Sequence, residues 1–318
     1  MAKLFTPVPL PNYPFRIAYQ HQILSMGSCF AEHIGAFLQR RKFRQLLNPY
    51  GIVYHPEVLT QLLGQLLDDQ APNPSDLFAQ QGLWRHYDFH SRFAHPDPTQ
   101  AADQLKQQHQ EGAKAVRQLD ILVLTLGTAY GYQLAKSGAW VNNCHKQPAA
   151  LFDKKLSEVS TMTSDLRAVL LRLKEINPQL QVILTVSPVR HLRDGLLENQ
   201  GSKARLLLTQ EALTTELDFV HYFPAYEILL DELRDYRYYA NDLLHPSALA
   251  IEIITDRFAQ AFLSADTLAL SKQISSIVQS LEHRPLHPES EAYQRFQEQT
   301  QEKIQQLQAQ YPFLDFSE

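Results

Sequence analysis

Ile23-Leu24-Ser25-Met26-Gly27-Ser28-Cys29-Phe30 decides how this chain is read. A short apolar run (23–26) reads as a strand. A glycine follows, and Ile34, Phe37 and Leu38 then recur at helical spacing from residue 30 to about 41. A Gly-Ser-Cys turn therefore lies where a strand hands over to a helix. The backbone N–H groups at a helix start have no intrahelical acceptor and can hold an anion.

The same alternation continues downstream. Residues 46–51 read as a second strand ending in a turn, and His55-Pro56 opens a helix to about Asp68. Ile121-Leu122-Val123-Leu124-Thr125-Leu126 and Val182-Ile183-Leu184-Thr185-Val186 are apolar on both faces, as a central parallel strand requires. Residues 218–223 supply a fifth strand. Helices are expected near 100–118, 157–174 and 202–216, with another from Pro246 through Phe262. Strands alternating with helices imply one α/β domain, a three-layer sandwich around a mostly parallel five-stranded sheet. The segment 71–98 is irregular, carries an aromatic stretch at 84–93, and reads as a substrate rim. After Ala265 the character changes to two surface helices, the second rich in Gln and Glu. The expected organisation is thus a domain over 1–265 and a helical appendage over 266–318.

Bulk properties exclude several classes. The chain has 318 residues, 44% hydrophobic, with a formal net charge of -5 and no basic run long enough to follow a phosphate backbone, so nucleic acid is not an expected partner. Residues 1–20 do not read as a signal peptide, and no apolar run reaches the ~18 residues of a membrane span. Two cysteines cannot form a disulfide framework, and a cytoplasmic location is expected. Oligomeric state leaves no signal in the sequence.

In open parallel sheets, ligands bind outside the carboxyl ends of the strands. Ser28 and Cys29, then Gly51, Thr128 and Arg190 all fall there, with Asp242 and His245 before the last helix of the domain. In Asp242-Leu243-Leu244-His245-Pro246 the spacing lets the carboxylate reach back to the imidazole, fixing its tautomer, while the other ring nitrogen takes a proton from a nucleophile. A thiol at residue 29 beside His245 is expected to titrate low. Arg190 and Lys203 are read as anion binders or as surface ion pairs. No CxxC or paired HxxxH supports a metal site, and no cofactor is expected.

Met26-Gly27-Ser28-Cys29-Phe30-Ala31-Glu32 resembles the signature of the GSCFA family. Asn48-Pro49-Tyr50-Gly51-Ile52, Leu126-Gly127-Thr128-Ala129, Asn143-Cys144-His145-Lys146, Ser187-Pro188-Val189-Arg190-His191 and His283-Arg284-Pro285 extend the likeness over most of the chain. That family is similar to the SGNH, or GDSL-type, hydrolases. The resemblance implies an SGNH-like sandwich with a nucleophile in the first block and Asp242-x-x-His245 in the last. The GDSL register puts Cys29 on the nucleophile position and Ser28 on the preceding Asp, so either residue could attack. Gly51 resembles the second-block glycine that donates to the oxyanion. The third-block Asn is absent, which leaves Thr128 or Asn143 to replace it. The implied activity is an esterase or acyltransferase acting on a small-molecule or carbohydrate ester. The rival expectation is a non-catalytic binding module on the same fold.

Overall fold

The computed structural model describes residues 6–316. The outer ends of the two expected units, and the first residues of the segment read for a signal peptide, lie outside the described residues. The chain runs β1 (Ile23–Gly27), α1 (Cys29–Arg40), β2 (Gln45–Leu47), α2 (Pro56–Leu67), β3 (Phe78–Gln80), β4 (Leu83–Arg85), α3 (Pro98–Arg117), β5 (Ile121–Leu126), β6 (Tyr130–Leu134), β7 (Trp140–Val141), β8 (Phe152–Leu156), α4 (Val159–Ile176), β9 (Gln181–Val186), α5 (Leu196–Glu216), β10 (Val220–Tyr222), a single turn α6 (Ala225–Glu227), α7 (Ala248–Phe262), α8 (Ala265–Glu282) and α9 (Glu291–Gln310).

The central sheet has the order β10-β9-β5-β1-β2, and every pair in it is parallel. Its layers follow from the period of two along a strand. Leu122, Leu124 and Leu126 of β5 join a core with Val58, Leu62, Leu166, Leu170 and Leu206 of α2, α4 and α5. Ile121 and Val123 face the other way, into a core with Phe30 and Ile34 of α1 and Ile254 and Phe258 of α7. Helices thus cover both faces of a five-stranded parallel sheet. Leu270, Ile274 and Ile277 of α8 and Ile304 and Leu307 of α9 extend the α1–α7 core.

Gly27 makes the strand-to-helix turn. Its φ is 142°, and a Cβ there would meet the Thr125 carbonyl oxygen at 2.3 Å, so the close pairing of β1 with β5 admits no side chain.

Four local expectations change. Residues 130–156 fold into a second, three-stranded antiparallel sheet, β7-β6-β8, absent from the sequence reading. Its strands are two to five residues long and β8 is Phe-Asp-Lys-Lys-Leu, too polar and short to give an apolar run. The segment 71–98 holds the hairpin β3–β4 rather than only irregular chain. α5 begins at Leu196, six residues before the expected start, after Gly195 at φ 102°. Pro246 does not open a helix. It is buried in a bridge to Tyr239, and α7 starts at Ala248, capped by Ser247.

Candidate functional site

The strand order reverses between β1 and β5, the topological switch point at which open α/β sheets bind ligands. The Ser28-Cys29 turn ends β1 there, and Gly127-Thr128 ends β5. Ser28 is fully buried. Its N–H donates to the Thr125 carbonyl at 3.1 Å, and its Oγ accepts from the Phe30 N–H at 3.3 Å as the cap of α1. Cys29 is the first helical residue and is half-buried. Of the two candidate nucleophiles, Ser28 is engaged in holding the turn, while Cys29 keeps a partly open thiol.

The expectation of a low-titrating thiol is not met. Burial pushes Cys29 above the ordinary thiol value. The Lys203 ammonium opposes this, Glu32 adds to it, and the Phe30 and Cys29 backbone N–H groups pull the other way. Desolvation outweighs the combined pull of the cation and the helix start.

Asp242 and His245 form a tight unit on the loop before α7. Asp242 Oδ2 lies 2.6 Å from His245 Nδ1, and Asp242 Oδ1 accepts from the Leu244 and His245 N–H groups at 2.9 and 3.0 Å. Leu243 at φ 59° closes the turn. The two backbone donors, with the imidazole, hold the Asp242 carboxyl down to about 2. The carboxylate therefore stays ionised, Nδ1 carries the ring proton, and Nε2 is the nitrogen left to act on a substrate.

One backbone contact ties this loop to the loop after β9. The Arg190 N–H donates to the Leu244 carbonyl at 3.4 Å. His245 in its charged form disfavours protonation of His33 and His191, so the three imidazoles share one neighbourhood. His191 meets the Tyr54 ring edge-on, with centroids 5.3 Å apart, and Tyr54 in turn feels Cys29.

The expected oxyanion donors are otherwise engaged. The Gly51 N–H donates to the Asn48 carbonyl at 2.7 Å. At φ 80°, a Cβ on Gly51 would meet the His90 Cβ at 2.2 Å, so the glycine serves a backbone-to-side-chain approach. Thr128 Oγ1 lies 3.0 Å from Ser202 Oγ and accepts from the Tyr130 N–H, while its own N–H donates to the Tyr54 carbonyl. Asn143 Oδ1 accepts from the His145 N–H at 2.7 Å, and its Nδ2 donates to Ser91 Oγ at 3.4 Å.

These residues divide between two cavities. Thr128 and Asn143, with Tyr54, Tyr130, Tyr132 and His191, border one of about 840 Å³. Arg190 and Asp242 border another of about 590 Å³, and Ser28, Cys29, Gly51 and His245 are in the wall of neither. The aromatic stretch expected as a rim backs the larger cavity instead. The Tyr87 carbonyl accepts from the Asn142 and Asn143 N–H groups, and His145 Nε2 bonds the His86 carbonyl at 2.8 Å. The phenol and phenyl rings at the cavity itself come from Tyr54 and from Tyr130, Tyr132 and Phe152 of the second sheet.

Lys203 is the residue whose setting the sequence most misleads. It is neither an exposed anion binder nor an ion-pair partner. It is fully buried, and its Nζ donates to the carbonyls of Gly127 at 2.6 Å and Ser187 at 2.7 Å, at the ends of β5 and β9. The one available signal was its place on the buried stripe Asn199, Ser202, Lys203, Leu206 of α5.

Cys29 and Cys144 are both free thiols. Among the described residues, no three His, Cys, Asp or Glu side chains gather as metal ligands, and no helix is long and apolar enough to cross a membrane.

The fold and this edge define a doubly wound α/β protein with a thiol and a carboxylate–imidazole pair at the carboxyl ends of its strands. The chain belongs to the GSCFA family, whose profile matches residues 22–258, and the GSCFA C-terminal domain profile matches residues 274–318. A comparison with curated proteins found no match.

Proposed function

We propose that this chain is an esterase or acyltransferase of SGNH-like design. Cys29 attacks the carbonyl of a small-molecule or carbohydrate ester. His245, oriented by Asp242, takes the Cys29 proton, passes it to the departing alcohol and then activates the water or acceptor hydroxyl that releases the acyl group. The observation that carries this reading is the 2.6 Å Asp242–His245 contact on a loop bonded to the strand-end loop at Arg190.

The half-open position of Cys29, against the buried capping position of Ser28, supports the thiol as nucleophile. The Cys29 N–H at the start of α1 is the oxyanion donor in this scheme, in place of Gly51 and Thr128. The tyrosines of the larger cavity suit a sugar ring or other flat alcohol portion. The chemistry requires no cofactor. The pairless thiols Cys29 and Cys144 suit a reducing, cytoplasmic setting.

The engagement of Gly51 and Thr128 favours the other reading, a binding module that kept the cleft and lost the chemistry. A panel of short acyl esters and acetylated sugars separates them. Turnover by the wild type that is lost in His245→Ala supports the enzyme. Ligand binding without turnover of any ester supports the module.

A further inference from the structure

The larger cavity is basic in a chain that is not. The protein carries a formal net charge of -5, yet this cavity of about 840 Å³ is bordered by Lys146, Lys154 and Arg193 against one carboxylate, Asp194. Lys154 Nζ lies 2.5 Å from Asp194 Oδ1, so that acid is already answered. Among the described residues, Lys146 and Arg193 have no carboxylate within ion-pair distance. The histidines of the wall add no charge at neutral pH, because burial lowers His55 to about 3 and His145 and His191 to about 4. Two uncompensated cations therefore border one concave space, where an anion is screened less than on an open surface.

Rings and a built loop accompany these cations. Tyr130 and Tyr132 are two residues apart on β6 and share a face. Lys154 Nζ stands 4.3 Å from the centroid of the Tyr130 ring, and Arg193 Cζ 5.8 Å from that of Tyr132. His145 and Lys146 both lie in the left-handed region, at φ 51° and 59°. Such strain persists only where surrounding contacts impose it. Here Asn143 Oδ1 accepts the His145 N–H at 2.7 Å, His145 Nε2 bonds the His86 carbonyl at 2.8 Å, and the Gln147 N–H donates to the Cys144 carbonyl at 2.9 Å. The Tyr87 hydroxyl donates to Gln147 Oε1 at 2.9 Å, which commits the oxygen of that amide and keeps its NH2 as the donor end. Rings, an amide donor and unpaired cations are the complement of a hydroxylated ring that bears an anion.

We propose that this cavity binds an anionic sugar, a carbohydrate ring carrying a carboxylate or a phosphate, with Arg193 and Lys146 on the anion and the tyrosines of β6 against the ring. This rests on the reading of the cavity as the place of the sugar, and adds the charge that the substrate carries. The cavity adjoins the nucleophile turn through one glycine. A Cβ on Gly127 would stand 3.0 Å from Cδ1 of Tyr54, in the cavity wall, and 3.1 Å from the Cβ of Ser28. A neutral sugar forfeits both cations, and a cationic one is repelled by them.

Calorimetric titration with glucuronic acid, glucose 6-phosphate, glucose and inorganic phosphate tests the site. One or both anionic sugars should bind at least roughly tenfold tighter than glucose, with the advantage shrinking as salt is raised. The tighter of the two identifies the anion. Lys146 and Arg193 are exposed, so Lys146→Gln and Arg193→Gln leave the core untouched. Each should weaken the anionic sugars several-fold, and the double variant should erase their preference over glucose. Lys106→Gln on α3, outside the cavity, removes the same charge and should change nothing. Equal affinity for glucose, a preference that survives the double variant, or no binding of either anionic sugar up to about 10 mM overturns the proposal. Inorganic phosphate binding as tightly as the tighter sugar also overturns it, because the site is then one for a bare ion. None of these readouts needs turnover, and His245→Ala should titrate as the wild type does. Anionic-sugar binding by a protein that cleaves no ester would leave this inference standing and remove the esterase. Cleavage of neutral sugar esters with no preference for anionic ones would do the reverse.

Discussion

Asp242 holds His245 at two points of one turn: its Oδ2 lies 2.6 Å from ring Nδ1, and its Oδ1 accepts the His245 backbone N–H at 3.0 Å. The ring and the chain that carries it are thus oriented by a single carboxylate. In Asp242→Asn the amide oxygen can still cap the turn, yet the side chain can no longer stabilise an imidazolium. Turnover should fall by roughly 10²- to 10⁴-fold with little change in KM. Activity within about twofold of wild type in steady-state assays would remove Asp242 from the mechanism.

Asp242 is held down to about 2, below its ordinary value near ~3.9, so its contribution is complete above the ordinary value and is lost as pH falls toward the folded one. The His245 ring proton, followed by NMR, should keep its carboxylate hydrogen bond at pH 5. A bond that breaks between pH 6 and 5 would contradict the geometry of the turn.

Ser28 and Cys29 should separate cleanly. Ser28→Ala removes the cap of α1 and should lower stability by about 1 kcal/mol, read as a shift of the urea midpoint, while most turnover survives. Cys29→Ala should fold normally and turn over nothing. Full activity in Cys29→Ala together with a dead but folded Ser28→Ala would return the attack to the serine.

Gly27→Ala should be severely destabilising. The added methyl would sit 2.3 Å from the Thr125 carbonyl oxygen in a backbone region that L-residues avoid. A loss of about 3 kcal/mol or more is expected, or failure to accumulate in soluble form. A denaturation midpoint equal to wild type would show that β1 and β5 can part without consequence.

Imidazoles lowered by burial, His55 and His145 among them, shape the response to acid. Burial lowers His55 to about 3 and His145 to about 4, and each bonds a backbone carbonyl through Nε2 as the neutral form. The unfolded chain binds protons near ~6.5 that the fold refuses, so stability is complete above that value and declines as pH falls through 6 toward 4. Tm should drop over this interval, and His145→Asn should flatten the drop. A Tm independent of pH between 7 and 4.5 would exclude this mechanism.

The central sheet was legible because β5 and β9 are apolar on both faces, a pattern that only a doubly covered strand tolerates. The Asp242-x-x-His245 contact was legible because three-residue spacing on a turn leaves few other geometries. Other features hid for physical reasons. Strand β8 is mostly charged, since its side chains face water, and carries no periodic signal. Gly51 was expected to donate to an oxyanion, but which acceptor takes a backbone N–H depends on where Asn48 folds back. Lys203 reads as surface in any sequence, and only the packing of α5 on the strand ends reveals that its amine lies inside.

The last helices have a consequence for how the chain comes apart. Leu270 and Ile277 of α8 and Ile304 and Leu307 of α9 share a core with Phe30, Ile34 and Phe37 of α1, Arg40 pairs with Glu282, and Tyr19 packs against Phe313. The helix whose first residue is Cys29 is therefore backed by α8 and α9. Proteolysis in the connector between α8 and α9 would loosen α9 from that backing and reach the thiol through the length of one helix, and melting should proceed as a single cooperative event rather than tail first.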